Sequence, residues 1–327
     1  MRPGGLANPP DPSNTPSGMR ESETMMATGA AGYAVLEHRG VVAVSGEDRA
    51  AFLQGLVSND MLRVNESRAA YALFLTPQGK FLHDFTMVDS GGALLLDPET
   101  ERRADLLRRL KMYKLRSKIA LEDRADRMRV AVAFGTGALE ALGLQAEAGA
   151  AVGFGGGLAF TDPRLPGLGA RLFLPADGLE AALEGAGLTR RDGAEYDRLR
   201  LSLGVPDGSR DLVPEKSIPL ENRLDALNAI SWDKGCYMGQ ELTARTKYRA
   251  LIRKKLFPVT IDGPLPEAGT PVTLDGKEIG ELRSGRDGVA LALLRLEEAN
   301  RAAEAGLSLK AGDSGLSPRT PEWDTTP

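Results

Sequence analysis

AISWDKGCYMGQELTARTKYRALIRKKL, residues 229–256, divides the chain into two textures and holds its only cysteine. Gly235 and Gly239 bracket Cys236 and Tyr237, which predicts a tight turn running into a helix that starts near Gln240. A thiol at such a helix N-terminus feels the positive end of the peptide dipoles. Lys234, Arg245 and Lys247 add positive charge; both effects favour thiolate, the alternative being a buried, inert cysteine, the commoner fate of a lone one. After residue 256 the chain breaks into short β-prone runs at 257–261, 270–274, 278–283 and 289–294, separated by Gly, Pro and Asp. These predict a small C-terminal β-barrel over residues 251–300.

Before the stretch, strand and helix patterns alternate. Two β-prone runs flank the turn residues Arg39 and Gly40. A helix follows, with Ser45 and Asp48 as a capping box and Phe52, Leu53, Leu56 and Val57 on one face. Residues 70–75 and 81–88 read as strands joined by the turn 76–79, and 93–96 as a third strand. Asp97 reads as an N-cap, with Pro98 opening a helix that runs through Tyr113. A similar unit recurs at 129–134, 138–144, 158–161, 170–174 and 178–186. The organisation is α+β: a first subdomain over residues 31–125 and a second over 126–250 that carries the cysteine. A disordered tail is expected over 1–30 and a loose one over 311–327.

Of the 327 residues, 42% are hydrophobic and 26% charged, ordinary values for a chain able to bury a sizeable core, and the net charge of −4 argues against a coat for nucleic acid. One cysteine and two histidines, His38 and His83, supply neither an internal disulfide, nor a closed zinc site, nor a four-thiolate iron–sulfur site, so no resident metal is expected. No run of about 18 apolar residues predicts a membrane helix. The first thirty residues show neither an apolar leader nor an Arg-rich amphipathic pattern, so a cytoplasmic location is expected. Gly135 and Gly137 mimic a dinucleotide fingerprint, but Glu140 stands where the third glycine belongs. The run 102–118 carries eight Lys or Arg against Asp105, which fits either a solvated helix face or attraction of an anion such as a polyglutamate tail, a phosphate or RNA.

Lys234-Gly235-Cys236-Tyr237-Met238-Gly239-Gln240-Glu241 resembles the K-G-C-Y-x-G-Q-E motif of the YgfZ family, folate-binding proteins of iron–sulfur metabolism related to the glycine-cleavage T-protein, an aminomethyltransferase. Further segments are similar to that family: Leu53-Gln54-Gly55-Leu56 with Ser58-Asn59-Asp60, Gln78-Gly79-Lys80 followed by Asp84, Leu115-Arg116-Ser117-Lys118, the run from Arg200 to Pro206, and Pro219-Leu220-Glu221. The likeness spans about residues 33–295. It implies two βαβ-rich, ferredoxin-like subdomains around a central folate channel, plus the barrel.

The resemblance also implies tetrahydrofolate, or a one-carbon derivative, as cofactor. Glu221 would pair with the pterin edge, with Asn59, Asp60, Tyr113, Arg116, Arg200, Tyr237, Gln240 and Glu241 as binding residues. Cys236, Asp84 and Lys234 would carry chemistry, and the partners would be iron–sulfur enzymes or their assembly factors. T-proteins have paired aspartates where this chain has His83-Asp84 and lack the cysteine, which weakens aminomethyl transfer without removing it. The implied function is a tetrahydrofolate-binding accessory protein for iron–sulfur cluster assembly or repair. The alternatives are a folate-dependent one-carbon transferase, the one enzyme class considered, and a folate or RNA-associated binding module without chemistry.

Overall fold

The computed structural model describes residues 29–249 and 252–324, so the tail expected over residues 1–30 lies, apart from Gly29 and Ala30, outside the described residues. The first part of the chain runs β1 (Gly32–Val35), β2 (Val42–Ser45), α1 (Arg49–Gln54), β3 (Ala70–Leu75), β4 (Phe81–Ser90), β5 (Ala93–Leu96), α2 (Arg103–Lys114) and β6 (Ala120–Asp123). The second runs β7 (Met128–Phe134), α3 (Ala138–Ala141), β8 (Ala151–Phe154), β9 (Gly157–Thr161), β10 (Ala170–Pro175), α4 (Leu179–Gly185), β11 (Thr189–Arg190), α5 (Gly193–Ser202) and, after a long connection, α6 (Gln240–Tyr248). The last part is β12 (Lys254–Asp262), β13 (Pro271–Leu274), β14 (Lys277–Arg286), β15 (Val289–Arg295), α7 (Leu296–Ala305), β16 (Leu309–Ala311) and β17 (Ser314–Pro318).

Two sheets, in the orders β3-β4-β5-β2-β6 and β11-β1-β7-β10-β9-β8, pack face to face. The strand period of two explains the layering. In β3, Tyr71, Leu73 and Leu75 join the core shared by the sheets, while Ala72 and Phe74 point to the opposite face and pack with Leu106 and Leu110 of α2. In β7, Val130 and Val132 enter the shared core, while Ala131 and Ala133 meet Leu179 and Leu183 of α4. Strands covered on both faces read as continuous apolar runs, as β5 does.

Several sequence-based expectations need correction. β1 does not belong with residues 31–125: it pairs antiparallel with β7 and parallel with β11 in the second sheet. The barrel does not end at residue 300, and residues 311–324, the described part of the expected loose tail, are ordered against it. β16 and β17 close six strands by pairing β17 back onto β12, and the Trp323 indole donates to the Leu203 carbonyl at 2.6 Å. Ser45 and Asp48 form no capping box: α1 has no side-chain cap, and Asp48 instead accepts from the Lys118 amide at 2.7 Å. Asp97 caps no helix. It is buried, accepting from the Thr86 amide and hydroxyl and pairing with Arg171, and α2 begins six residues later.

Candidate functional site

The cysteine motif is pinned to the first sheet by its own lysine. Lys234 is buried and its ammonium donates to the carbonyls of Gln54, Val57 and Asn59 at 2.8, 2.7 and 2.7 Å. These carbonyls sit at and beyond the C-terminal end of α1, where peptide oxygens lack intrahelical partners and a cation is favoured. Burial pulls the Lys234 pKa down to about 8, with Asp60 pulling the other way.

Backbone bonds extend the seam. Ser231 N–H donates to Ser58 O at 3.0 Å, Met238 N–H to Gly55 O at 3.2 Å, and the Ser58 hydroxyl to Ala229 O at 2.6 Å. Asn59 donates to Tyr71 O and Asn228 O, both at 2.7 Å, and Asp60 caps the turn Met61–Arg63 by accepting from Leu62 N–H. Lys234, Asn59 and Asp60 therefore act as positioning residues. Replacing Lys234 with methionine is expected to cost about 1–3 kcal/mol, because three carbonyls lose a charged donor; chemical denaturation of the two proteins measures it.

The glycines of two motifs meet directly. Gly239, with φ of +83°, precedes α6, and a β-carbon built on it would lie 2.6 Å from Thr76 O and 3.0 Å from Gly79 Cα. Only glycine permits both the left-handed conformation and this approach, so the turn before Lys80 fixes where α6 starts. Tyr237 is buried beneath, and burial pushes its pKa up to about 12; the Thr243 hydroxyl acts on it without forming a hydrogen bond of normal geometry.

Cys236 is exposed on this anchored turn. It precedes the first helical residue by four positions, and the three cations expected to surround it are engaged elsewhere. Lys234 holds the three carbonyls, Arg245 pairs with Glu241 at 2.7 Å, and the Lys247 ammonium lies 3.7 Å from the Trp232 ring centroid. Tyr113, at the end of α2, points its hydroxyl at the Met238 sulfur, 3.5 Å away, which brings that helix beside the motif. Gln240 is half-buried at the start of α6, and Glu241 is exposed.

Glu221 lies in the single turn Pro219–Asn222. It is half-buried and makes no hydrogen bond among the described residues. Burial raises its pKa against the pull of Lys254 and Lys80. Both lysines were missed in the sequence as members of this group; Lys80 sits in a recognised motif, while Lys254 enters from the first barrel strand, a juxtaposition that only the tertiary fold creates.

The remaining expected residues do not join this site. Arg200 is buried, donating to Asp197 at 2.7 Å, Asp211 at 2.6 Å and Ser284 of the barrel at 2.8 Å. It is a strut between α5 and β14. Arg116 is exposed beyond α2, and of the basic run 102–118, Arg102, Arg103, Arg108, Arg109 and Lys118 are bound in ion pairs. Asp84 is sealed in the interior. It accepts from Arg39 at 3.2–3.3 Å and from the Tyr71 hydroxyl at 2.9 Å, and Arg39 also pairs with Asp207. Burial alone would raise the Asp84 pKa, but Arg39 and Tyr71 outweigh it and hold the carboxyl below the usual range. Arg39, whose amide closes the turn from Leu36 between β1 and β2 at 3.0 Å, thus also carries a buried ion pair. His83 is also buried, 3.0 Å from Asp105, with burial and Arg102 lowering its pKa to about 4.

Comparison with known proteins agrees with this fold. Residues 253–326 match the family described as CAF17, C-terminal beta-barrel domain. The solved structure of glycine cleavage system aminomethyltransferase T from Bartonella henselae has the same fold, with a TM-score of 0.68 over 92% of this chain and 88% of that one, at 16% identity. The human protein named iron-sulfur cluster assembly factor IBA57, mitochondrial, is 34% identical over 310 residues, 88% of this chain and 84% of its own length. The homologue so named in Mycosarcoma maydis is 33% identical over 318 residues, covering 83% and 75%. Both relatives are named mitochondrial, which overturns the cytoplasmic expectation; that expectation rested on residues 1–30, nearly all outside the described part of the chain. The YgfZ-type resemblance accordingly narrows: the chain belongs to the IBA57 family of iron–sulfur cluster assembly factors.

Proposed function

We propose that the protein serves iron–sulfur cluster assembly by presenting Cys236 as one ligand to a cluster in transit, the other ligands coming from a partner, while a tetrahydrofolate-type molecule is held at Glu221. The observation that carries the reading is a single exposed thiol on a turn fixed by Lys234 and by the Gly79–Gly239 contact. No group of three His, Cys, Asp or Glu among the described residues has a metal-binding arrangement. An iron–sulfur cluster needs about four ligands. Cluster chemistry through Cys236 is therefore shared chemistry, with assembly factors or iron–sulfur enzymes as the partner class.

Glu221 suits the planar donor edge of a pterin, because it is a half-buried carboxylate with no hydrogen bond of its own and with two lysines in electrostatic reach. Tetrahydrofolate would supply a carrier for a one-carbon unit. The interior position of Asp84, already spoken for by Arg39 and Tyr71, counts against its moving a proton to such a carrier.

Anaerobic calorimetric titration with tetrahydrofolate tests the folate half. Binding is expected to survive Cys236→Ala and to weaken at least about tenfold in Glu221→Ala, the loss of a charged hydrogen-bond acceptor. Absence of binding to the wild-type protein overturns the folate reading and leaves the cysteine reading standing.

A further inference from the structure

Away from Cys236 and Glu221, the second sheet, α5, the segment 207–210 and the barrel enclose a cleft of about 310 Å³. Its lining is cationic: Arg164, Arg171, Arg200, Arg210 and Arg286 against the carboxylates of Asp197 and Asp207. Asp197 is already shared by Arg200, Arg210 and Arg286, and Asp207 by Arg39, His38 and Arg210. The carboxylates facing the space are therefore saturated.

The floor is different. Arg164 and Arg171 are 4% and 2% exposed, and both stand beside the Tyr196 hydroxyl. Arg164 spends Nε and Nη2 on Asp162 and Tyr196, leaving Nη1 unused. Arg171 pairs through Nη1 with Asp97, and its Nε is sealed from water without a hydrogen-bond partner, the nearer Asp162 oxygen standing off at 3.8 Å. Two buried guanidiniums repel one another across this floor. The sealed Arg171 Nε faces Asp162 and is out of a ligand's reach; an oxyanion in the space would accept from the unused Nη1 of Arg164 and Nη2 of Arg171, both charge-assisted donors. Gly193 and Ala194 bring the N-terminal turn of α5 to the same space, adding its positive partial charge. His38, Arg210 and Arg286, each partly exposed, form the mouth.

We infer that this cleft is a binding site for a small polyvalent oxyanion, a di- or tricarboxylate or a phosphate, held on the floor by Arg164 and Arg171. Its volume suits a molecule of that size. The anion would couple the second sheet to the barrel, since Arg171 belongs to β10 and Arg286 to β14.

Calorimetry with citrate and with inorganic phosphate, each against sodium chloride of matched ionic strength, tests the inference and tells the two sources apart. Saturable binding of at least one is expected, together with a raised thermal midpoint. Ala194→Phe fills the space without breaking an ion pair and is expected to abolish binding. Arg286→Gln leaves Asp197 paired with Arg200 and Arg210 and is expected to weaken binding at least about fivefold; it serves as the test if the phenylalanine variant does not fold. No saturable binding of either anion, or binding unchanged in the variants that fold, overturns the inference.

Discussion

Asp84→Asn is expected to destabilise the protein by about 3 kcal/mol, the lower end of what breaking a buried ion pair costs. The carboxylate and Arg39 are each 1% exposed in their side chains, so neither can turn to water for compensation. The lower end applies because Arg39 keeps Asp207. The amide would still meet the Tyr71 hydroxyl, but it would bring an N–H₂ group towards a guanidinium that has no lone pair to offer. A cycle with Arg39→Met, read by urea denaturation, isolates the pair and is expected to show strong coupling. The pH dependence has a fixed sign. The folded-state pKa lies below the ordinary 3.8, so the stabilisation is complete above that value and is lost as pH falls through the folded-state pKa. Wild-type stability should therefore decline below about pH 4, and the variant less steeply. If the asparagine protein unfolds within about 1 kcal/mol of the wild type while losing function, Asp84 acts on a substrate and the structural assignment fails.

The same residue shows what could be read from the chain and what could not. Asp84 was singled out by the resemblance, as the carboxylate that follows Gln78-Gly79-Lys80, but its partner was not: Arg39 stands beside a glycine and has the local signature of a turn. Local patterns gave the α+β class, the strands 70–75 and 93–96, and the start of α6 at Gln240, because periodicity and glycine placement are short-range properties. Sheet membership is a long-range one. Nothing in Gly32–Val35 says that it pairs with Met128–Phe134 instead of the strands that follow it. The closing strands of the barrel escaped notice because they are three and five residues long and include Lys310, Ser314 and Gly315. Their stability comes from pairing to strands already in place, not from their own composition. At the site, the motif spacing singled out Lys234 but gave no means to tell an ammonium aimed at a substrate from one holding three carbonyls.

Cys236→Ala is expected to abolish rescue of iron–sulfur enzyme activity in a strain lacking this protein, with stability changed by no more than about 0.5 kcal/mol, the usual range for an exposed side chain. The contrast between these two readouts is what separates a functional thiol from a packing one. A buried cysteine would cost stability when shortened, whereas here the turn is held by Lys234, by backbone bonds to Gly55 and Ser58, and by the glycine crossing, none of which involves the sulfur. Cys236→Ser sharpens the test. It preserves size and hydrogen bonding but replaces a soft thiolate donor, the kind iron–sulfur clusters take, with a hydroxyl that stays protonated near neutral pH. Serine should therefore fail as alanine does if the sulfur ligates a cluster, and both variants should keep the wild-type unfolding curve. Full rescue by either variant would remove the thiol from the mechanism. Failure of both with intact folding would leave a single ligand that, having no second cysteine in the chain to join it, acts only together with another molecule.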